Sequence, residues 1–306
     1  MHPGLWYVEH PLIWLVAEAG TGNLGQPILS SLLSESGSDD NAKFEKYIAC
    51  VRSEHSEKKL ASKFPQAVQS KKLSISRGDN VKAAQDADIV ILGVDPADVE
   101  ATLKEDGFAA ALSGKLLISV AAGWTRADIE KLLSTSKEKI WVVRTLPNIA
   151  AQVSESLTAI EDPDKDIPKE FIDITDSIFN QVGKTAHISP RLMDVSTAVG
   201  GSTPAMFAVI CDALIDASVA VGMPRATAQT MIYQSMKGTA AMLQSGIHPG
   251  VLKDQGTSPE GCTIGGLMVM EEAGVRGHLG KALREAVTIA RLMGKNPHVN
   301  DTRQGQ

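Results

Sequence analysis

The sequence predicts an α/β chain, a doubly wound parallel sheet followed by an all-helical part. Three observations carry this. Short continuous apolar runs recur through the first half, separated by helical patterns. A glycine-rich turn stands between the first such run and the first helix pattern. Beyond Ser189-Pro190 strand signals almost vanish, and Ala, Met and Leu at helical spacing take over.

The elements follow in order. Leu12–Ala19 predicts the first strand, and Gln26–Leu33 a helix with Ile28, Leu29, Leu32 and Leu33 on one face. Ser34–Ala42 is a polar loop, and Tyr47–Val51 the second strand. Asp88–Val94, Lys115–Ala121 and Ile140–Arg144 are continuous apolar runs of the kind buried on both faces of a parallel sheet. Leu157–Ile160 and Thr185–Ile188 are weaker strand patterns, with an amphipathic helix at Phe171–Val182 between them. Helices are then expected at Arg191–Val199, Pro204–Val221, Arg225–Ser245, His248–Gln255, Ile264–Ala273 and Val275–Met293. Proline in the first turn marks two starts, at Ser202-Thr203-Pro204 and Met223-Pro224-Arg225. The expected domains are 1–188 and 189–293, with a polar tail at 294–306.

Composition narrows the function classes. The 306 residues are 43 % hydrophobic and 22 % charged, ordinary for a globular chain of two domains. A net charge of −6 offers no general attraction for nucleic acid or an anionic membrane. Cys50, Cys211 and Cys262 are far apart, and no His or Cys spacing suits a metal. The first ten residues lack a basic segment, and no apolar stretch reaches membrane-span length without interruption. These readings predict a soluble, cytoplasmic protein with no metal, nucleic-acid or membrane partner.

Gly20-Thr21-Gly22-Asn23-Leu24-Gly25 fits G-x-G-x-x-G in its strand–turn–helix context, so a Rossmann-type dinucleotide site is expected there. The first glycine permits the turn, the second admits the pyrophosphate, and the third lets helix and strand pack closely. The helix start then presents free N–H groups to the phosphates. The end of the second strand selects the cofactor. An acidic residue there would take a ribose 2′-OH, but this chain has Arg52 and Ser53. A guanidinium and a hydroxyl suit a 2′-phosphate, which favours NADPH over NADH. Glu18, inside the first strand, has no physical explanation in the sequence.

In the second half three segments stand out: Val199-Gly200-Gly201-Ser202-Thr203-Pro204-Ala205, Val221-Gly222-Met223-Pro224-Arg225, and His248-Pro249-Gly250-Val251-Leu252-Lys253 followed by Ser258-Pro259-Glu260-Gly261-Cys262-Thr263-Ile264. The last is a Ser/Gly/Thr loop feeding a helix. Its amides could hold a small carboxylate, or it could be an ordinary capped helix start. Met270-Glu271-Glu272-Ala273-Gly274-Val275-Arg276, Gly114–Ser119 and Arg144-Thr145-Leu146-Pro147-Asn148 complete the set.

Taken together, in this order, these segments resemble pyrroline-5-carboxylate reductase, its fungal forms in particular. The resemblance runs from about Leu15 to Leu292, and residues 1–11 find no match. It implies a Rossmann domain joined to a helical dimerisation domain, and a homodimer or a ring of dimers. It also implies hydride transfer from NADPH to the C=N carbon of a small cyclic imine, 1-pyrroline-5-carboxylate. By the same resemblance Thr263 bonds the imine nitrogen, amides near Gly261 and Cys262 hold the carboxylate, and Ser258 shapes the loop. Asn148 would lie near the nicotinamide ribose, and Val94, Asp95 and Pro96 line the cofactor edge.

Four positions depart from the family pattern. Glu260 and Thr203 replace glycines, Ile149 replaces threonine, and Asp95 replaces lysine. Together they raise an alternative, a paralogue acting on a substituted or larger-ring imine, with Ile149 giving apolar contact to a bulkier ring. A β-hydroxyacid dehydrogenase is disfavoured because Ser196–Val221 contains no lysine. A non-catalytic NADP-binding dimer is the remaining reading, since fold alone does not prove activity.

Overall fold

In a computed structural model the described residues are 13–17, 24–33, 44 and 46–293. Residues 1–12 and 18–23 (Glu18 among them), the whole of the predicted polar loop Ser34–Ala42 and the tail from 294 lie outside them. The described strands form one sheet: β1 (Ile13–Ala17), β2 (Tyr47–Val51), β3 (Leu73–Arg77), β4 (Ile89–Gly93), β5 (Leu116–Ser119), β6 (Trp141–Leu146), β7 (Ser156–Glu161) and β8 (Gly183–Ile188). The order is β3-β2-β1-β4-β5-β6-β7-β8. The chain winds outward from β1 to β3, then returns to β4 on the other side of β1. Ligands bind at such a reversal, outside the carboxyl ends of the strands.

The helices of this part are α1 (Gly25–Leu33), α2 (Glu54–Lys63), α3 (Pro65–Gln69), α4 (Asn80–Asp86), α5 (Val99–Leu103), α6 (Phe108–Ala111), α7 (Arg126–Leu132), α8 (Lys169–Asn180) and α9 (Met193–Ser196). They cover both faces, which is why the central strands are apolar throughout. Ile89, Ile91, Leu116, Ile118 and Val143 pack with Ile28, Leu29 and Leu32 of α1 and with Ile178 and Phe179 of α8. Their neighbours Val90, Leu92, Leu117 and Val142 pack on the other side, with Ala83 and Ala84 of α4 and Ile129 of α7. Caps locate the helix starts: Ser53, Asp79 and Thr125 each accept a backbone N–H three residues on.

Two features depart from the sequence expectation. β3 was not predicted. Its Leu-Ser-Ile-Ser-Arg alternation carries only two apolar side chains, as suits an edge strand. β7 runs antiparallel to β6, although β8 is again parallel to β7. The connection 147–155 is too short for a crossover helix, so the chain must fold back on itself. A 3₁₀ turn at Ile149–Val153 and Ser154 at φ 58° make the reversal.

The chain divides into two compact units, Met1–Gly201 with Val287–Gln306, and Ser202–Ala286. The second contains α10 (Thr203–Ala220), α11 (Arg225–Gln244), α12 (Pro249–Gln255) and α13 (Cys262–Glu272), and most of α14 (Val275–Leu292). Between α9 and α10 the helix widens to π geometry over Thr197–Ser202. Many of the apolar side chains in the second unit are solvent-facing, among them Phe207, Val209, Leu214, Met231 and Met268. α10 and α11 have no single apolar face, so one copy of the unit cannot cover them.

Candidate functional site

The carboxyl ends of the strands bring the first group of predicted residues to one edge of the sheet. Of the glycine-rich turn, Gly20, Thr21, Gly22 and Asn23 lie outside the described residues. Leu24 and Gly25 open α1, where Ile28 N donates to Leu24 O at 3.2 Å. Gly25 is buried, as close helix–strand packing requires.

At the end of β2, Ser53 caps α2: its Oγ accepts from Ser56 N at 3.1 Å. Arg52 is exposed, and its Nη2 lies 2.8 Å from Asp98 Oδ2. A second cation stands next to it. Arg77 ends β3 in register with Val51, immediately before Arg52. Its guanidinium lies 3.6 Å from Glu57 and 3.9 Å from Glu54, long contacts that a phosphate could replace. Sequence reasoning missed Arg77 because it missed β3. The only signal was a basic residue before Gly78-Asp79, a turn of ordinary composition.

The residues present fit a 2′-phosphorylated dinucleotide. No carboxylate occupies position 52 or 53, two guanidiniums flank a helix start, and both are about half exposed. Glu54 and Glu57 oppose an added phosphate, but each already faces a cation, Lys58 at 2.6 Å from Glu54 and Arg77 at 3.6 Å from Glu57.

At the end of β4, Val94 is buried and Asp95 exposed. The Asp95 carboxylate is engaged locally. Its Oδ1 accepts from Ala97 N at 3.0 Å and caps the turn Pro96–Asp98. The indole Nε1 of Trp124 donates to Pro96 O at 2.7 Å, which fixes that turn against the β5–α7 loop.

At the end of β6, Asn148 is half-buried and its groups are held by the protein. Its backbone N donates to Ser156 Oγ at 3.0 Å. Its Oδ1 accepts from Ala150 N at 3.0 Å, and its Nδ2 donates to Gly200 O at 2.9 Å. Ile149 follows, 46 % exposed. Beneath them Arg144, almost fully buried, reaches Asp194 on α9 at 3.2 Å and Glu161 on β7 at 3.7 Å. Arg126 reaches the same Glu161 at 3.2 Å. Burial pushes the Glu161 carboxyl above its ordinary range, and the two arginines pull it back.

The second group lies in the helical unit. Ser258 and Glu260 form a turn closed by Gly261 N donating to Ser258 O at 3.1 Å. Gly261 then caps α13 in extended conformation, and Cys262 and Thr263 occupy its exposed first turn. The first amides of a helix have no intrahelical acceptor, so this turn offers N–H groups beside a hydroxyl. A Cβ at 261 would come to 2.4 Å from Ser258 Oγ and 3.1 Å from Ser258 O, so a side chain there would require Ser258 to shift. Glu260 adopts φ 58°, the left-handed conformation that glycine tolerates and glutamate resists. Thr203 opens α10, half-buried, one residue before Pro204.

Known proteins resemble this chain along nearly its whole length. Residues 190–293 match the family described as pyrroline-5-carboxylate reductase dimerisation, and residues 16–123 match NADP oxidoreductase coenzyme F420-dependent. A pyrroline-5-carboxylate reductase of Lophium arboricola is 41 % identical over 94 % of this chain and 96 % of its own length. That of Neurospora crassa is 36 % identical over the same shares. Among solved structures, a pyrroline-5-carboxylate reductase from Coxiella burnetii aligns with a TM-score of 0.76 and 26 % identity, covering 94 % of this chain and 99 % of that one. A Plasmodium falciparum pyrroline carboxylate reductase with NADP bound aligns with a TM-score of 0.76 at 24 % identity, over 94 % and 98 %. By length and composition alone the stretch Pro190–Ala220 could cross a bilayer. That stretch lies within the match to pyrroline-5-carboxylate reductase dimerisation, which supports a homodimer.

Proposed function

The chain belongs to the pyrroline-5-carboxylate reductase family, and from that we infer its reaction: NADPH-dependent reduction of 1-pyrroline-5-carboxylate to proline by a homodimer. The observation that carries the reading is the loop Ser258–Thr263 at the start of α13, which keeps Ser258, Gly261 and Thr263, in a chain whose β2 is followed by Arg52-Ser53.

The reduced nicotinamide supplies a hydride to the C=N carbon. The protein's own share is to bind and orient. Arg52, Ser53 and Arg77 hold the 2′-phosphate, and Leu24 and Gly25 start the helix that faces the pyrophosphate. Val94, Asp95 and Pro96 form the wall beside it. The amides of Gly261 and Cys262 hold the substrate carboxylate, in the turn that Ser258 shapes. Thr263 Oγ1 bonds the imine nitrogen and fixes the ring. A cyclic imine is readily protonated, so no strong acid is required, and orientation supplies much of the acceleration. Thr203 and Ile149 are the remaining candidates for contact with the ring.

A second reading, a substituted or larger ring, is favoured by Ile149, an exposed apolar side chain where the family carries a hydroxyl. Assembly of the dimers into a ring and a cytoplasmic location complete the proposal. The test is NADPH oxidation by the purified protein with pyrroline-5-carboxylate, alkylated pyrroline carboxylates and piperideine carboxylates. Turnover of the five-membered ring, abolished or cut at least tenfold in Thr263→Ala, is expected. Tight NADPH binding with no imine turned over would overturn the reading.

A further inference from the structure

We propose that Asn148 is a positioning residue that clasps the β6 exit to the bend at Gly200, rather than a ligand of the cofactor ribose. The proposal rests on the reaction inferred above and concerns the same site. It begins with Pro204. In a regular α-helix the carbonyl of Gly200 would accept from the N–H of residue 204, and proline has none. The helix here takes π geometry over Thr197–Ser202, and Asn148 Nδ2 donates to the carbonyl of Gly200 at 2.9 Å. The other end of the same carboxamide accepts from Ala150 N at 3.0 Å and holds the turn that carries Ile149. The two bonds set the amide plane, with oxygen toward the turn and nitrogen toward the helix.

A second pin lies one step lower on the same two elements. Arg144, four residues before Asn148, reaches Asp194, six residues before Gly200, at 3.2 Å. The strand exit and the helix are therefore tied twice. The lower tie is ionic and buried on the arginine side, and the upper one is a neutral amide bond to a carbonyl that Pro204 cannot serve as a donor. Ile149 and the Gly200-Gly201 bend then keep one relative position during the reaction, which is what a near-attack geometry needs.

The test uses Asn148→Asp and Pro204→Ala in the full-length protein. Aspartate keeps the acceptor for Ala150 N but loses the donor to Gly200 O. Alanine at 204 restores an intrahelical donor that competes for the same carbonyl. Both variants should lower kcat for pyrroline-5-carboxylate tenfold or more, with the Kd for NADPH, read by fluorescence, within threefold of wild type. In Asn148→Asp the loss should shrink as pH falls, because a protonated carboxyl donates again. Amide exchange should rise together over 149–153 and 197–203, a readout independent of turnover. A tenfold weaker NADPH complex with kcat preserved at saturation, or exchange rising in one segment only, overturns the clasp. If Asn148→Asp does not fold, Pro204→Ala alone decides by the same readouts. Wild-type protein inactive on every imine would refute the reaction instead, and the exchange result would still judge the clasp.

Discussion

Arg144 and Glu161 face each other across the antiparallel β6–β7 pair, Nη1 to Oε2 at 3.7 Å, with 3 % and 5 % of their side chains exposed. Burial dominates the carboxyl and raises its pKa above the ordinary 4.5, against the pull of Arg126 and Arg144. The folded chain therefore keeps a proton at pH values where the unfolded chain has released it. Stability contributed by this group is complete below the ordinary glutamate range and is lost as pH rises through the folded pKa. Glu161→Gln lacks that titration. The difference in Tm, wild type minus variant, should become less favourable to wild type as pH rises above the ordinary glutamate range. A flat or rising difference would refute the assignment.

Glu260→Gly should stabilise the protein. Left-handed backbone costs a side-chain-bearing residue about 1–2 kcal/mol, and glycine gives back roughly 0.5–1 kcal/mol in chain entropy. The net gain is up to about 1.5 kcal/mol, read as a small rise in Tm. The substitution also removes a carboxylate from the turn that receives the substrate's own. KM for pyrroline-5-carboxylate should fall up to about fivefold, the range of an exposed charge pair. An unchanged Tm would show that the turn relaxes around glutamate at no cost.

Arg52→Ala and Arg77→Ala should each weaken NADPH by about tenfold, the low end for a charge-assisted bond at an exposed site. NADH should be unaffected in both. The informative variant is Arg77→Ala, since only β3 pairing places that residue beside β2. Equal losses for NADPH and NADH would mean that it supports the fold and not the phosphate.

Ile149→Thr restores the hydroxyl that the family pattern carries. The side chain is 46 % exposed, so the change should leave Tm nearly unmoved. A few-fold rise in kcat/KM for the unsubstituted ring is expected, with a loss for alkylated rings, because one apolar contact is worth about 1–3 kcal/mol. No shift between the two substrates would remove Ile149 from the pocket wall.

The central strands were legible because burial on both faces forces continuous apolar runs, as in Ile89–Leu92 and Leu116–Ile118. Helix α1 was legible from the spacing of Ile28, Leu29 and Leu32. β3 was not, because an edge strand with Ser74 and Ser76 needs little apolar surface, and with it went Arg77. The direction of β7 is decided by the length of the connection, not by the strand's own residues. The site loop Ser258–Thr263 was read from motif order, and Glu260 in it takes φ 58° where the family pattern carries glycine. The bond from Asn148 to Gly200 spans fifty-two residues of sequence separation, and no local pattern announces it. Pro204 was read only as a helix start, although its missing N–H also shapes the turn before it.

The bare side chains of Phe207, Val209 and Leu214 have a consequence for how this protein meets heat and dilution. A subunit alone would hold hydrocarbon against water over much of α10, so folding and pairing draw on the same free energy. Melting should then be a second-order property, with midpoints that climb as the solution is concentrated, and a defective copy made alongside a sound one would spoil its mate.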